Sequence, residues 1–305
     1  MYLKKARWAE GLEPSTTSTV AGELVCSLKR ERLRREVTLS LRTGLREAQA
    51  HFSFLRLRGL RNLLKFLASV SESEPMIQLF QDSQTYRDLQ VVPVLFQHTL
   101  IPSKGDVVYN LDHIYNVEPL QITSPAIDCE VALALRVLEG CCLLHKEGRT
   151  LAHQHKAMKV LIRILSTGGQ LERAACLDAI ISIMLDSPAN MMDYEAYSGT
   201  EKVAELIKDK QLEDNIRLKC GEFLLLLVGH VLPSANRNAV NKDSPNVWQK
   251  APLASTQEDL RYLLGEECAS LIWAASQFGS SLDNEQRQSA LHIHARRVLD
   301  SLDLY

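Results

Sequence analysis

The sequence repeats itself at a shift of about 41 residues, and a repeat of that length leaves few folds open. Leu144 superposes on Leu185 and again on Leu226, in two equal steps. The same shift lays Leu135 on Cys176, Leu151 on Met192, Ile162 on Val203 and Leu165 on Leu206, so apolar positions fall on apolar positions. His145 to Arg149 lies over Asp186 to Asn190, so the turns align as well. Armadillo and HEAT units have periods in this range; each is a small helical cluster that buries its apolar face only by stacking on its neighbours. A non-repeating helical bundle stays open as the alternative, because three units are visible and the third lacks its second half.

Composition and spacing agree with helices. Leu and Ala dominate while aromatics are 6% of the 305 residues, a bias toward side chains that lose little freedom in a helix. Leu57, Leu60, Leu63, Leu64, Leu67 and Val70 recur at three and four, one face of a helix lying between Leu45 and Val70. Shorter pieces are expected around Met76 to Phe80 and Tyr86 to Leu100. Ser124 and Pro125 read as an N-cap and first helical residue for a stripe of Ile127, Val131, Leu135, Leu138 and Cys142. A second helix is predicted over about Thr150 to Leu165, ending where Gly168 or Gly169 takes a left-handed cap. A third runs from about Gln170 to Leu185, and Ser187-Pro188 starts a short helix. Asn190 then turns the chain and Gly199 permits a tight passage into helices at about Thr200 to Lys210 and Glu213 to Val231.

The fold class expected is therefore all-α: an armadillo/HEAT-like repeat solenoid over residues 23–232 with helical N- and C-terminal extensions. Residues 1–22, with Pro14 and the run Ser15 to Thr19, read as a flexible leader, and Ile101 to Ser124 as a long surface loop. Residues 233–256 read as a linker and 257–305 as a helical hairpin, about Gln257 to Phe278 and Asn284 to Leu302. Lys4, Lys5 and Arg7 precede no apolar segment of the secretory kind, and no apolar run reaches membrane-spanning length; the expected compartment is cytosol or nucleus. The seven cysteines sit mostly among apolar helical residues and read as reduced core thiols.

Catalytic motifs are missing where they would be legible. No Gly-rich phosphate loop, dinucleotide fingerprint, kinase motif or Gly-x-Ser-x-Gly is present. Cys26 and Arg32 stand at the Cys-x5-Arg spacing of cysteine phosphatases, but Val25 replaces the usual His, no Gly intervenes, and the segment reads as a charged helix. His153 with His155 and His292 with His294 are two apart, which on a helix points them about 200° apart and prevents chelation of one ion. No enzyme, cofactor, metal site or small-molecule substrate is expected. From Lys29 to Lys65 eleven basic residues face only Glu31, Glu36 and Glu47, a surface for a partner through Arg56, Arg58 and Arg61. A peripheral membrane or nucleic-acid adaptor using this helix is the alternative reading, against the net charge of −2.

Leu138 to His145, Arg149, Asp186-Ser-Pro-Ala-Asn190, Tyr194-Glu195, Gly199 and Lys219 to Leu227 resemble the cell division control protein 14 family of the septation initiation network, distinct from the phosphatase of similar name. The resemblance spans about residues 70 to 232. It implies an armadillo-like, non-enzymatic scaffold subunit that binds a germinal-centre-type protein kinase in cytokinesis signalling, in the cytoplasm, at the spindle pole or division site. Asn190, Glu195 and Arg149 are the candidate partner-binding residues within it, beside the three arginines above.

Overall fold

A computed structural model describes residues 14–101, 126–232, 252–276 and 284–303. Every regular element among these residues is helical. The basic segment opens with α1 (Pro14–Ala48) and continues into α2 (Ser53–Ser71). Next come α3 (Glu74–Gln84) and α4 (Val91–Leu95), which runs on as a π-helical turn over Phe96–Leu100. The central region holds α5 (Asp128–Leu144), α6 (Lys146–Gln154), α7 (Ala157–Thr167), α8 (Gln170–Met184), α9 (Pro188–Ala196), α10 (Gly199–Lys208) and α11 (Asp214–Leu226), which ends in a π-helical turn, Leu227–Val231. α12 (Pro252–Leu264), α13 (Glu266–Ser276) and α14 (Asn284–Asp303) complete the described chain.

The helices confirm the repeat and correct its register. α5, α6 and α7 start at 128, 146 and 157, and α8, α9 and α10 at 170, 188 and 199, so the offset between these two units is 42 rather than 41, while α11 starts at 214, 44 after α8, so the two expected steps are not equal. At 42 the pairs Leu135/Leu177, Leu138/Ile180, Leu161/Val203 and Leu165/Ile207 are all fully buried. At 41 Leu151 would pair with Met192, which is 69% exposed. The helix α7 owes its start to a break the sequence does not advertise. Lys156 takes φ 53, ending α6, so the expected single helix from Thr150 to Leu165 is two; Ser198 takes φ 53 at the equivalent place in the next unit.

The long helices α2, α5, α8 and α11 lie side by side in one layer, each packed on the next, with the shorter helices filling the second layer. α1 packs along α2 at one end of the array and α14 along α11 at the other. These two cover the faces that a repeat array leaves open at its ends. Each fully buried leucine in the shared core contributes about 2 kcal/mol of apolar transfer energy.

Several boundaries move. α1 begins at Pro14, so the Ser15 to Thr19 run expected in a leader is helical, while residues 1–13 lie outside the described residues. The surface loop expected at Ile101 to Ser124 also falls almost wholly outside them, as do Ser124 and Pro125; α5 starts at Asp128 with an extended Ile127 before it. Gly168 is extended rather than left-handed, and a side chain there would press on the Ile164 carbonyl at 2.6 Å. The C-terminal hairpin contains a third helix because Gly265, at φ 90, splits the segment predicted from Gln257 to Phe278. Of the expected linker, 233–251 lies outside the described residues and Pro252 onward is helical.

Candidate partner-binding surface

The sequence-predicted residues divide into a buried set and an exposed set. Asn190 is fully buried in α9. Its Nδ2 donates to the Arg149 carbonyl at 3.0 Å and the Ser187 Oγ at 2.7 Å, which ties α9 to α6 of the preceding unit. Arg149, 8% exposed, donates Nε to the Cys142 carbonyl at 2.9 Å and Nη1 to the Leu185 carbonyl at 2.6 Å. Those two carbonyls lie at the C-terminal ends of α5 and α8, where the last turn has no helical donors and carries partial negative charge. Asn190 and Arg149 thus staple neighbouring units from within.

Arginine repeats this role along the array. Arg173 Nε donates to the Leu165 carbonyl at the end of α7 at 3.1 Å, and Arg217 Nε to the Ile207 carbonyl at the end of α10 at 3.0 Å. The sequence does not disclose this role, because an arginine that bonds carbonyls inside looks like any surface arginine until the third dimension is known. Arg56 is a further case. It is 5% exposed and donates Nε to Glu130 Oε2 at 2.8 Å, while Ser53 donates to the other carboxylate oxygen, joining α2 to α5. Arg58 is exposed and pairs with Glu47 at 2.9 Å, and Arg61 is exposed.

Glu195 lies on the open side of α9. Its carboxyl is held above the ordinary range, chiefly by partial burial and then by Asp259 on α12. Met192, one turn before it, is the large apolar residue of the same ridge and stands clear of the core. Beneath them Met191 and Tyr194 are buried, and the Tyr194 ring sits against Gly199 so closely that a β-carbon there would fall 2.5 Å or less from three ring carbons. Glycine is required at 199 by that approach. His153 Nδ1 meets Asp193 Oδ2 at 2.8 Å, bracing the ridge from α6. α9 is therefore a ledge, braced by these contacts, that carries an exposed apolar residue and an acid shifted upward.

Alternating charges cross the long-helix layer behind it. Arg136 on α5 meets Glu139 at 3.0 Å and Asp178 on α8 at 2.5 Å. Lys219 on α11 reaches Asp178 at 3.0 Å and Glu222 at 3.3 Å, and His292 on α14 lies 3.3 Å from Glu222. Arg136, Asp178 and Lys219 each have two opposite charges beside them, so the row aligns the units and leaves little charge for a ligand. Arg136 and Lys219 are held above their ordinary ranges because these carboxylates outweigh burial.

The Cys-x5-Arg and His-x-His candidates of the sequence do not form a site among the described residues. Cys26 and Arg32 lie on the continuous helix α1, whose backbone amides are engaged within the helix and so do not form a phosphate loop. Burial pushes the Cys142 and Cys220 thiols up to about 12 and Cys268 to about 11. His153 and His155 face different neighbours, Asp193 and the Phe96 ring. Among the described residues no His, Cys, Asp and Glu group has the arrangement of a metal site.

The fold and its interior staples define an all-α repeat solenoid. A family model described as "Cell division control protein 14, SIN component" matches residues 106–290, more than half of the chain. The chain belongs to that family. A relative, "Cell division control protein 14" of the fission yeast Schizosaccharomyces pombe, is 26% identical over 90 residues, which is 29% of this chain and 38% of the relative. The chain thus matches well under half of that relative's length. Two solved structures of engineered proteins also align. One has a TM-score of 0.48 and 13% identity over 87% of this chain and 99% of its own. The other has a TM-score of 0.44 and 11% identity over 86% and 96%.

Proposed function

We propose that this chain is a non-catalytic scaffold subunit that holds a germinal-centre-type protein kinase for cytokinesis signalling, using the α9 ledge. The observation that carries the reading is the coincidence of the matched family region with the ledge. Residues 106–290 contain α9, where Met192 stands 69% exposed on a base clamped by Asn190, Arg149 and Tyr194. An exposed large apolar side chain on an immobile support loses little freedom when a partner covers it, and such residues anchor interfaces. A SIN-related role accords with the family's description. The cytoplasm, with recruitment to the spindle pole or division site, is the location that fits this role.

The test is affinity purification of the tagged full chain from dividing cells, in parallel with a Met192→Asp/Glu195→Lys variant. A germinal-centre-type kinase should co-purify with the wild type and fall by about tenfold with the variant, whose two sites are exposed and leave the fold intact. Recovery of no kinase from dividing cells overturns the reading; equal recovery by both proteins removes α9 from it.

A further inference from the structure

The outward face of α1 carries a stripe of exposed apolar and basic residues. α1 is 35 residues long, about 52 Å at the α-helical rise. Its C-terminal half packs deeply, through Val37, Leu41, Leu45 and Ala48, all nearly inaccessible. On the opposite side the apolar residues Val25, Leu28 and Leu39 are 49%, 63% and 64% exposed. Arg32, Arg35, Arg42 and Arg46 are exposed too. Taken in order, positions 25, 28, 32, 35, 39, 42 and 46 step by three and four alternately, without a break. That spacing keeps one stripe facing one neighbour along the helix, the seam of a two-helix coil.

We propose that this seam receives an acidic amphipathic α-helix of a partner protein, with carboxylates opposite the four arginines and apolar side chains opposite Val25, Leu28 and Leu39. The charge on the stripe argues for it. Among the described residues Arg35 has Glu31 at 3.6 Å as its only carboxylate neighbour, and Arg32, Arg42 and Arg46 make no ion pair. A groove of about 490 Å3 runs beside the stripe between α1 and α2, with Leu39, Phe66 and Met76 in its lining, and offers a seat for a partner's side chain. A second copy of this chain fits poorly. Paired antiparallel, Arg35 would meet Arg35 and Val25 would meet Arg46; paired parallel, each arginine would meet itself, and like charges in contact are costly. A membrane surface asks for a broad apolar face, and three apolar positions in seven are too few. Duplex phosphates would engage the arginines and leave the three apolar residues without a role. The inference stands apart from the kinase reading, since α1 lies at the far end of the array from α11 and outside the ledge.

The probe is a synthetic helical peptide with glutamates and leucines placed to complement the seam, titrated into the full chain and followed by fluorescence anisotropy. A peptide of the same composition in shuffled order, a peptide with lysine in place of each glutamate, phosphatidylserine vesicles and duplex DNA are the comparators. The patterned peptide should bind at least about tenfold more tightly than the shuffled one, weaken as salt rises, and fail when lysines replace glutamates. Arg35→Glu/Arg42→Glu and, separately, Leu28→Ser/Leu39→Ser should each cost it about tenfold while the circular dichroism of the chain stays unchanged. Equal binding of the shuffled peptide, tighter binding of vesicles or DNA, or no binding of the patterned peptide overturns the proposal. The lysine peptide keeps the test decisive should either variant fail to fold, because it leaves the protein untouched.

Discussion

Breaking the Arg56–Glu130 pair from one side should cost far more than removing it whole. Glu130 is fully buried and accepts Arg56 Nε at 2.8 Å, Arg56 Nη2 at 3.3 Å and the Ser53 hydroxyl. Arg56 Nη1 also donates to the His51 and Ala50 carbonyls at 2.8 and 3.3 Å, which fixes the connection between α1 and α2. Glu130→Gln preserves shape but leaves a buried guanidinium without its counter-charge, a loss of about 3 to 4 kcal/mol. Arg56→Met strands the carboxylate instead and should cost a similar amount, about 3 kcal/mol. In Arg56→Met/Glu130→Gln neither charge remains, the glutamine carbonyl still accepts from Ser53, and the residual loss is the unmet pairing of the glutamine amide and of the two half-buried carbonyls, about 2 kcal/mol. The double-mutant cycle should therefore return a coupling of several kcal/mol. Urea titrations followed by circular dichroism at 222 nm give the three values, provided the slope stays constant so that midpoints report stability. Single variants within about 1 kcal/mol of wild type, or a double variant as damaging as the two singles summed, would refute the argument that this pair joins the first two units through charge.

Two further outcomes follow from the interior. Gly199→Ala should lose about 3 kcal/mol, because the new methyl collides with the immobile Tyr194 ring; a thermal midpoint equal to that of wild type would show that the ring can yield. For the thiols, the folded values of about 12 at Cys142 and Cys220 lie above the ordinary value of 9.0. A raised folded value means the unfolded chain loses those protons first, so their contribution is intact below pH 9 and is lost as pH climbs toward 12. Iodoacetamide at neutral pH should accordingly label Cys26 and Cys129, which are exposed, and reach the other five only in urea; mass spectrometry of labelled peptides that finds Cys142 modified in the native chain would contradict this.

The sequence by itself determined the helical class, the approximate period and the local punctuation. Ser187-Pro188 begins α9 as its spacing implies, because a proline at the first helical turn surrenders an amide that has no partner there. Gly199 marks the next start for an equally local reason: only a residue without a side chain leaves room for the Tyr194 ring. Such signals act within a few residues, and a reader can find them in one chain. The break at Lys156 carries no glycine or proline, and apolar spacing runs through it undisturbed. The Ser198 turn carried back by one unit lands on it, a comparison that needs the register the structure supplies.

The tertiary structure alone decided which polar residues face inward. Arg56, Arg149 and Asn190 have the composition of a binding surface and the positions of internal fasteners, whereas Glu195, Arg58 and Arg61 remain outside. Hydropathy cannot separate these sets. An arginine enters a core when carbonyls or a carboxylate from another element satisfy its donors, and those partners, seven residues away for Cys142 and 36 for Leu185 in the case of Arg149, are assembled only by stacking. The same stacking sets the exposed remainder, the α9 ledge and the α1 seam, because a surface is whatever the packing of neighbouring units leaves uncovered.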